Sequence, residues 1–141
     1  MTGIIVTGHG SFATGITSGL KLLAGEPECY EAVDFGPEDS VDSLTGKLEA
    51  ALGRLTGCES ILILADLTGG SPFNVALRLK LSREEHLEVI GGTNLPVVLD
   101  AYMSRTMNND VRALAAASLE AGKAQLVLYT PSQSDDEDYE E

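Results

Sequence analysis

Short apolar runs alternate with helix-period stretches along almost the whole chain. Gly3-Ile-Ile-Val-Thr-Gly8 has the length and composition of a buried strand. Phe12, Ile16, Leu20 and Leu23 then recur at helical spacing, and Gly25 with Pro27 ends that helix. Tyr30 to Phe35 reads as a second strand, interrupted by the charges of Glu31 and Asp34. Ser40 is placed to cap a helix whose apolar stripe is Val41, Leu44, Leu48, Leu52 and Leu55, closed by Gly57. Ile61 to Ala65 is apolar at every position, the pattern of a strand covered on both faces.

The second half continues in the same way. Asp66-Leu-Thr-Gly-Gly-Ser-Pro72 is a loop, with Ser71 expected as the N-cap and Pro72 as the first residue of a helix. Phe73, Leu77 and Leu81 are expected to face inward from that helix. Leu87 to Ile90 is a fourth strand, closed by Gly91-Gly92. Helices are expected from about Leu95 to Thr106 and from about Asp110 to Ala121, the latter ended by Gly122. Leu126 to Tyr129 is expected as a short last strand. Alternation of this kind favours parallel pairing through right-handed crossovers. The fold class is therefore α/β: a doubly wound, mainly parallel open sheet, with strand order 2-1-3-4 if it is flavodoxin-like and a short C-terminal strand. Residues 1–131 form one domain, followed by an acidic tail from Ser132.

Composition narrows the class. Hydrophobic residues make up 43% of the 141 residues and charged ones 22%, as in soluble globular proteins. The apolar runs are far shorter than the roughly 20 residues of a membrane span, and the N-terminus lacks a basic stretch followed by an apolar core. A cytoplasmic location is expected. The net charge of −13 includes Asp135, Asp136, Glu137, Asp138, Glu140 and Glu141, leaving −7 for the rest. Such a surface repels nucleic acid and anionic lipid and suits a basic protein partner. Cys29 and Cys58 make no metal signature and read as small buried residues with inert thiols.

In doubly wound sheets ligands bind beyond the carboxyl ends of the strands, where the winding reverses. For order 2-1-3-4 the loops there are Gly8-His9-Gly10 and Asp66 to Ser71. A neutral imidazole is a good nucleophile near pH 7 and forms a labile N–P bond. Asp66 is placed to hold one ring nitrogen protonated, so that the other presents its lone pair. Backbone N–H groups of Gly69, Gly70 and Ser71, the Ser71 hydroxyl and the positive end of the following helix are donors for phosphoryl oxygens. Gly8 and Gly10 leave room for a partner protein to approach. Singly, each feature has a plainer reading: His9 as a loop residue, Asp66 as a turn former, Gly69 to Pro72 as a tight turn with a helix cap. Their coincidence at one switch point favours a site. His86 precedes a strand at the far end of the sheet and reads as a surface residue. Gly92 and Asn94 end the fourth strand on the site's side, with a helix cap the simpler role for Asn94.

Three segments resemble the enzyme IIA component of the mannose-class bacterial phosphotransferase system, the class that includes sorbose and N-acetylgalactosamine transporters. They are Ile4-Ile-Val-Thr-Gly-His-Gly10, Leu64-Ala-Asp-Leu-Thr-Gly-Gly-Ser-Pro-Phe-Asn74 and Gly91-Gly-Thr-Asn-Leu-Pro96. The resemblance covers about residues 1–130. It implies a phosphorylated His9, supported by Asp66, with donors from Thr68, Gly69, Gly70 and Ser71, and neither cofactor nor metal. Phosphate would arrive from HPr and leave to a IIB component, which phosphorylates the sugar as it passes the membrane IIC and IID subunits. It also implies a homodimer in which the last strand, Leu126 to Tyr129, pairs antiparallel with the neighbouring subunit. The chain departs from some members in carrying Leu67 between Asp66 and Thr68, which makes Thr68 a less secure ligand than Ser71. The acidic tail leads to the expectation that IIB is a separate polypeptide.

Other readings of the same residues are a IIA-like regulatory phosphorylation sensor, a histidine-type phosphatase, a dihydroxyacetone-kinase phosphotransfer subunit and a flavodoxin-like mononucleotide binder. The phosphatase reading is weakened by Gly8, because those enzymes carry Arg just before the His to clamp the phosphate. Gly8-His-Gly10 is also not a hydroxyl-rich phosphate loop, and the kinase subunit is not expected to carry Gly-Gly-Ser-Pro-Phe-Asn. The sensor shares every residue of the carrier, and the transported sugar is not written in this chain.

Overall fold

A computed structural model describes residues 1–83 and 86–132. The expected acidic tail thus falls, from residue 133 on, outside the described residues. The elements run β1 (Thr2–His9), α1 (Phe12–Ala24), β2 (Tyr30–Phe35), α2 (Val41–Arg54), β3 (Ser60–Ala65), α3 (Ser71–Arg83), β4 (Leu87–Ile90), α4 (Leu95–Ser104) and α5 (Val111–Ala124). The four strands form one parallel sheet of order β2-β1-β3-β4. The expected doubly wound topology is what the chain adopts.

Strand periodicity explains the continuous apolar runs. Ile4, Val6, Leu62 and Leu64 pack on one face of the sheet with Ala13 and Leu20 of α1, Val97 and Val98 of α4, and Leu114 of α5. Ile5, Ile61 and Ile63 point to the other face, against Leu44, Leu48 and Leu52 of α2 and Val75 and Ala76 of α3. Both sides of β1 and β3 are covered, so neither strand has a polar side to alternate with. The central strand β3 is buried at all six positions. No helix among the described residues is long and apolar enough to cross a membrane.

Several local expectations are corrected. Helix α3 buries Pro72, Val75 and Ala76, while Leu77 and Leu81 are exposed and Phe73 is only half-buried. Small residues face the sheet there because α3 packs close to it, and the larger leucines are turned outward. Leu23 of α1 and Val41 of α2 are likewise exposed. Gly122 does not end α5; it is a buried position inside it. A Cβ at Gly122 would overlap Val97 Cγ2 and lie 2.9 Å from Asn94 Oδ1, so this glycine permits close packing of α5 on α4. Leu126 to Tyr129 form no strand within the chain, and Leu126, Val127 and Leu128 are exposed. The sheet does not cover them.

Candidate functional site at the carboxyl ends of β1 and β3

The sheet winds toward β2 on one side of β1 and toward β3 and β4 on the other, so the switch point lies between β1 and β3. His9 is the last residue of β1 and sits opposite Phe35 of β2. The chain leaves the strand at Gly10, whose φ of +59° favours glycine. Gly10 N–H donates to Phe35 O at 2.8 Å. The Phe35 ring meets the imidazole edge-on, with centroids 5.8 Å apart. Asp34 of β2 ties down the start of α1 by accepting from Thr14 N–H at 3.1 Å and from the Thr14 hydroxyl at 2.8 Å. The loop carrying His9 is thus anchored on both sides.

Asp66 directly succeeds β3 and is anchored by its N–H donating to Thr7 O at 3.2 Å. One carboxylate oxygen, Oδ2, accepts from His9 N–H at 2.9 Å and lies 3.0 Å from His9 Nδ1. An ionised carboxylate only accepts, so this contact selects the tautomer with the proton on Nδ1. Nε2 is left with its lone pair. The Asp66 side chain is 15% exposed and that of His9 44%, so the orienting group is sheltered while the ring is open to solvent. The other oxygen, Asp66 Oδ1, is buried without a hydrogen-bond partner among the described residues. The negative charge therefore bears chiefly on the imidazole.

Two glycines make this approach possible. A Cβ at Gly8 would stand 2.6 Å from Phe12 Cδ2, 2.7 Å from Asp66 Cγ and 2.9 Å from Asp66 Cβ. The space expected to admit a partner is filled by Asp66 and Phe12 instead, and Gly8 is buried. At Gly70 a Cβ would stand 2.7 Å from His9 Cε1 and 3.4 Å from Nε2, so the backbone before α3 lies against the reactive edge of the ring.

Helix α3 begins one residue earlier than expected. Gly70 O accepts from Asn74 N–H at 2.9 Å, which makes Gly70 the cap, Ser71 the first helical residue and Pro72 the second. The Asn74 side chain donates to Gly69 O at 3.0 Å and steadies the turn. Gly70 N–H donates to Leu67 O at 3.1 Å and is spoken for. Gly69, with φ of +86°, and Ser71 present backbone N–H groups and the Ser71 hydroxyl at the positive end of α3. The Thr68 hydroxyl is packed against Gly91, where a Cβ would overlap it, at the end of β4 and one strand beyond Asp66.

Of the residues singled out from the sequence, His9, Asp66 and Gly70 come together directly, and Gly69 and Ser71 stand beside them. Asn94 is used elsewhere: its side chain accepts from Val97 N–H at 3.0 Å as the cap of α4 and donates to Gly122 O at 3.1 Å. His86 is exposed just before β4, at the opposite end of the sheet. Phe35 and Asp34 escape a sequence reading because their strand shows only weak patterning; the parallel register with β1 is what brings them in. No group of three or more potential metal ligands occurs among the described residues.

The comparisons with known proteins converge on one family. Residues 3–119 match the family described as the PTS system fructose IIA component. The mannose-specific EIIAB component of the phosphotransferase system of Escherichia coli (strain K12) is 36% identical over 120 residues, covering 85% of this chain and 37% of the relative. The chain thus spans little more than a third of that protein. The sorbose-specific EIIA component of Lacticaseibacillus casei is 31% identical over 103 residues, covering 72% of each chain. The crystal structure of phosphotransferase system component EIIA from Streptococcus agalactiae superimposes with a TM-score of 0.81 at 33% identity, covering 91% of this chain and 97% of that one. With the family matched over most of its length and the same fold at a comparable size, the chain belongs to the mannose-class IIA components of the bacterial sugar phosphotransferase system, a family of phosphoryl carriers.

Proposed function

We propose that this chain carries a phosphoryl group on His9 Nε2, received from the phosphohistidine of HPr and passed to a IIB component during sugar uptake. The observation that carries the reading is the double contact of Asp66 Oδ2 with His9 N–H and Nδ1. It fixes the ring and its tautomer before phosphate arrives. In the forward step the Nε2 lone pair attacks phosphorus, the donor's N–P bond breaks, and the donor imidazole leaves neutral. The proton on Nδ1 stays in place, the ring becomes cationic, and Asp66 stabilises that charge. The N–H groups of Gly69 and Ser71 and the Ser71 hydroxyl take the equatorial oxygens at the positive end of α3. Thr68 and Gly70 serve this cradle by shape, Thr68 through its packing on Gly91 and Gly70 by its close approach to the ring. The return step is the same chemistry with IIB as acceptor, and the membrane IIC and IID subunits are met only through IIB.

The same reading takes the protein as a cytoplasmic homodimer. Leu126, Val127 and Leu128 are exposed apolar residues beyond α5, and β4 is an edge strand. A strand added antiparallel to the neighbouring subunit would bury both. Residues 1–131 are the carrier domain in this reading, and the acidic segment after it takes no part in the transfer.

Phosphorylation by phosphoenolpyruvate, its HPr-phosphorylating enzyme and HPr should add one acid-labile phosphate per chain. His9→Ala should add none while melting as the wild type does. Phosphate mapped to any other residue, or retained in His9→Ala, would overturn the assignment.

A further inference from the structure

The opposite end of the sheet holds a second chemical group, built around the start of β1. Ile4 N–H donates to Cys29 O at 3.0 Å, which fixes Cys29 beside β1 just before β2 begins. From the β3 side, Cys58 reaches over Gly3, where a Cβ would lie 3.0 Å from its Sγ. The two cysteines, far apart in sequence, therefore meet at neighbouring residues of one strand. They line the same cavity of about 300 Å³. Contrary to the expectation of buried, inert thiols, Cys29 is exposed and Cys58 half-exposed. Cys29 is also the one described non-glycine residue with positive φ, at +50°, a conformation that costs energy and is held by its surroundings.

What holds it is Arg105 at the end of α4. This residue is 3% exposed, and its guanidinium has no carboxylate partner among the described residues. It donates instead to three backbone carbonyls, of Thr2, Cys29 and Glu28. Its Nε has no acceptor among the described residues. The guanidinium is thus spent on backbone carbonyls and on the Tyr102 ring, 4.4 Å from its centroid, and it fixes the backbone that carries Cys29. The two thiols are not equivalent. Burial and then the neighbouring Cys29 push the Cys58 thiol up, and Cys29 is the more exposed of the pair.

From this geometry we infer that Cys29 and Cys58 are a reversible oxidation site for hydroperoxides, closing to an intrachain disulfide across Gly3. The Cys29 thiolate attacks the terminal oxygen of the hydroperoxide, the O–O bond breaks, the alkoxide or hydroxide leaves and takes a proton from solvent to become alcohol or water, and a sulfenic acid remains on Cys29. Cys58 sulfur then attacks Cys29 sulfur, the S–O bond breaks, and the sulfenic oxygen leaves as water with the Cys58 proton. Two electrons pass from the sulfur pair to the peroxide. A low-molecular-weight thiol returns the pair to the reduced form, leaving as its own disulfide. Closure ties the entry of β2 to the entry of β3 at the end of the sheet away from His9, so it acts on stability rather than on phosphate transfer.

The test is treatment of the full chain with hydrogen peroxide in the absence of other thiols, read by intact mass, peptide mapping and melting temperature. The wild type should lose the mass of two hydrogens, yield one linked peptide pair containing Cys29 and Cys58, and melt about 5 °C or more higher. Dithiothreitol should reverse all three. Cys58→Ser should stop at a Cys29 sulfenic acid trapped by dimedone, and Cys29→Ser should leave Cys58 reduced at the same dose. Oxygen added to Cys29 in the wild type without linkage, a disulfide between two chains, or equal oxidation of Cys58 in Cys29→Ser would each overturn the inference.

Discussion

The two ends of β1 use one device for opposite purposes. Gly8, near the carboxyl end, lacks a side chain so that Asp66 can cross over the strand and hold His9. Gly3, near the amino end, lacks one so that Cys58 can cross from the entry of the same neighbouring strand, β3. At the carboxyl end the imported group leaves a reactive atom, Nε2, exposed beside a helix N-terminus. At the amino end Arg105 occupies three carbonyls and joins α4 to the entries of β1 and β2. The sheet presents a reactive atom where winding reverses and is tied together through backbone carbonyls where the strands begin. The difference lies in the chain that flanks each end of the sheet: glycine-rich loops at one, helix termini and a buried guanidinium at the other.

If the Gly8 device is what builds the site, filling it should do the most damage. Gly8→Ala places a methyl group within 2.6 to 2.9 Å of Phe12 and Asp66, so the carboxylate has to move away from the imidazole. Misplacement on this scale is expected to cost about 10²-fold in transfer rate from phospho-HPr and about 1–3 kcal/mol in stability from overpacking. Rapid-quench phosphorylation and thermal melts measure the two separately. Asp66→Asn keeps the shape and removes the charge. Its amide oxygen still accepts from His9 N–H and Nδ1–H, so the fold should be unchanged and the rate should fall roughly 10-fold to 100-fold. An Asp66→Asn chain that transfers at the wild-type rate would show that geometry alone suffices and charge does not matter.

The two ends also separate what the sequence displays from what it hides. Strand order and the positions of His9 and Asp66 are legible because alternating elements and the switch-point rule constrain topology strongly. The inward face of α3 is not. Leu77 and Leu81 look like a core stripe, yet close packing on the sheet selects Pro72, Val75 and Ala76, and periodicity alone does not rank small residues above large ones. The roles of Gly8, Gly3 and Gly122 are hidden for a related reason. What a missing side chain makes room for depends on an element distant in the chain, and no local pattern announces it. The exposed Leu126 to Leu128 segment is the complementary case: its strand character is plain in the sequence, yet it joins no strand of the sheet.

The mildest perturbation is the mirror of the first. Gly3→Ala puts a Cβ 3.0 Å from Cys58 Sγ, 3.0 Å from Ile61 Cδ1 and 3.2 Å from Leu55 Cδ1. All three are side-chain atoms that can yield by a few tenths of an ångström, whereas at Gly8 the obstruction includes the Asp66 Cβ itself. The expected loss is about 1 kcal/mol in thermal or urea denaturation, with no change in the rate of phosphorylation on His9. A rate loss comparable to that of Gly8→Ala would mean that strain at one end of β1 reaches the other. The two glycines would then be parts of one coupled strand rather than independent clearances. An unchanged rate with a lower melting temperature would establish that the carboxyl end of the sheet keeps its geometry whatever is packed at the amino end.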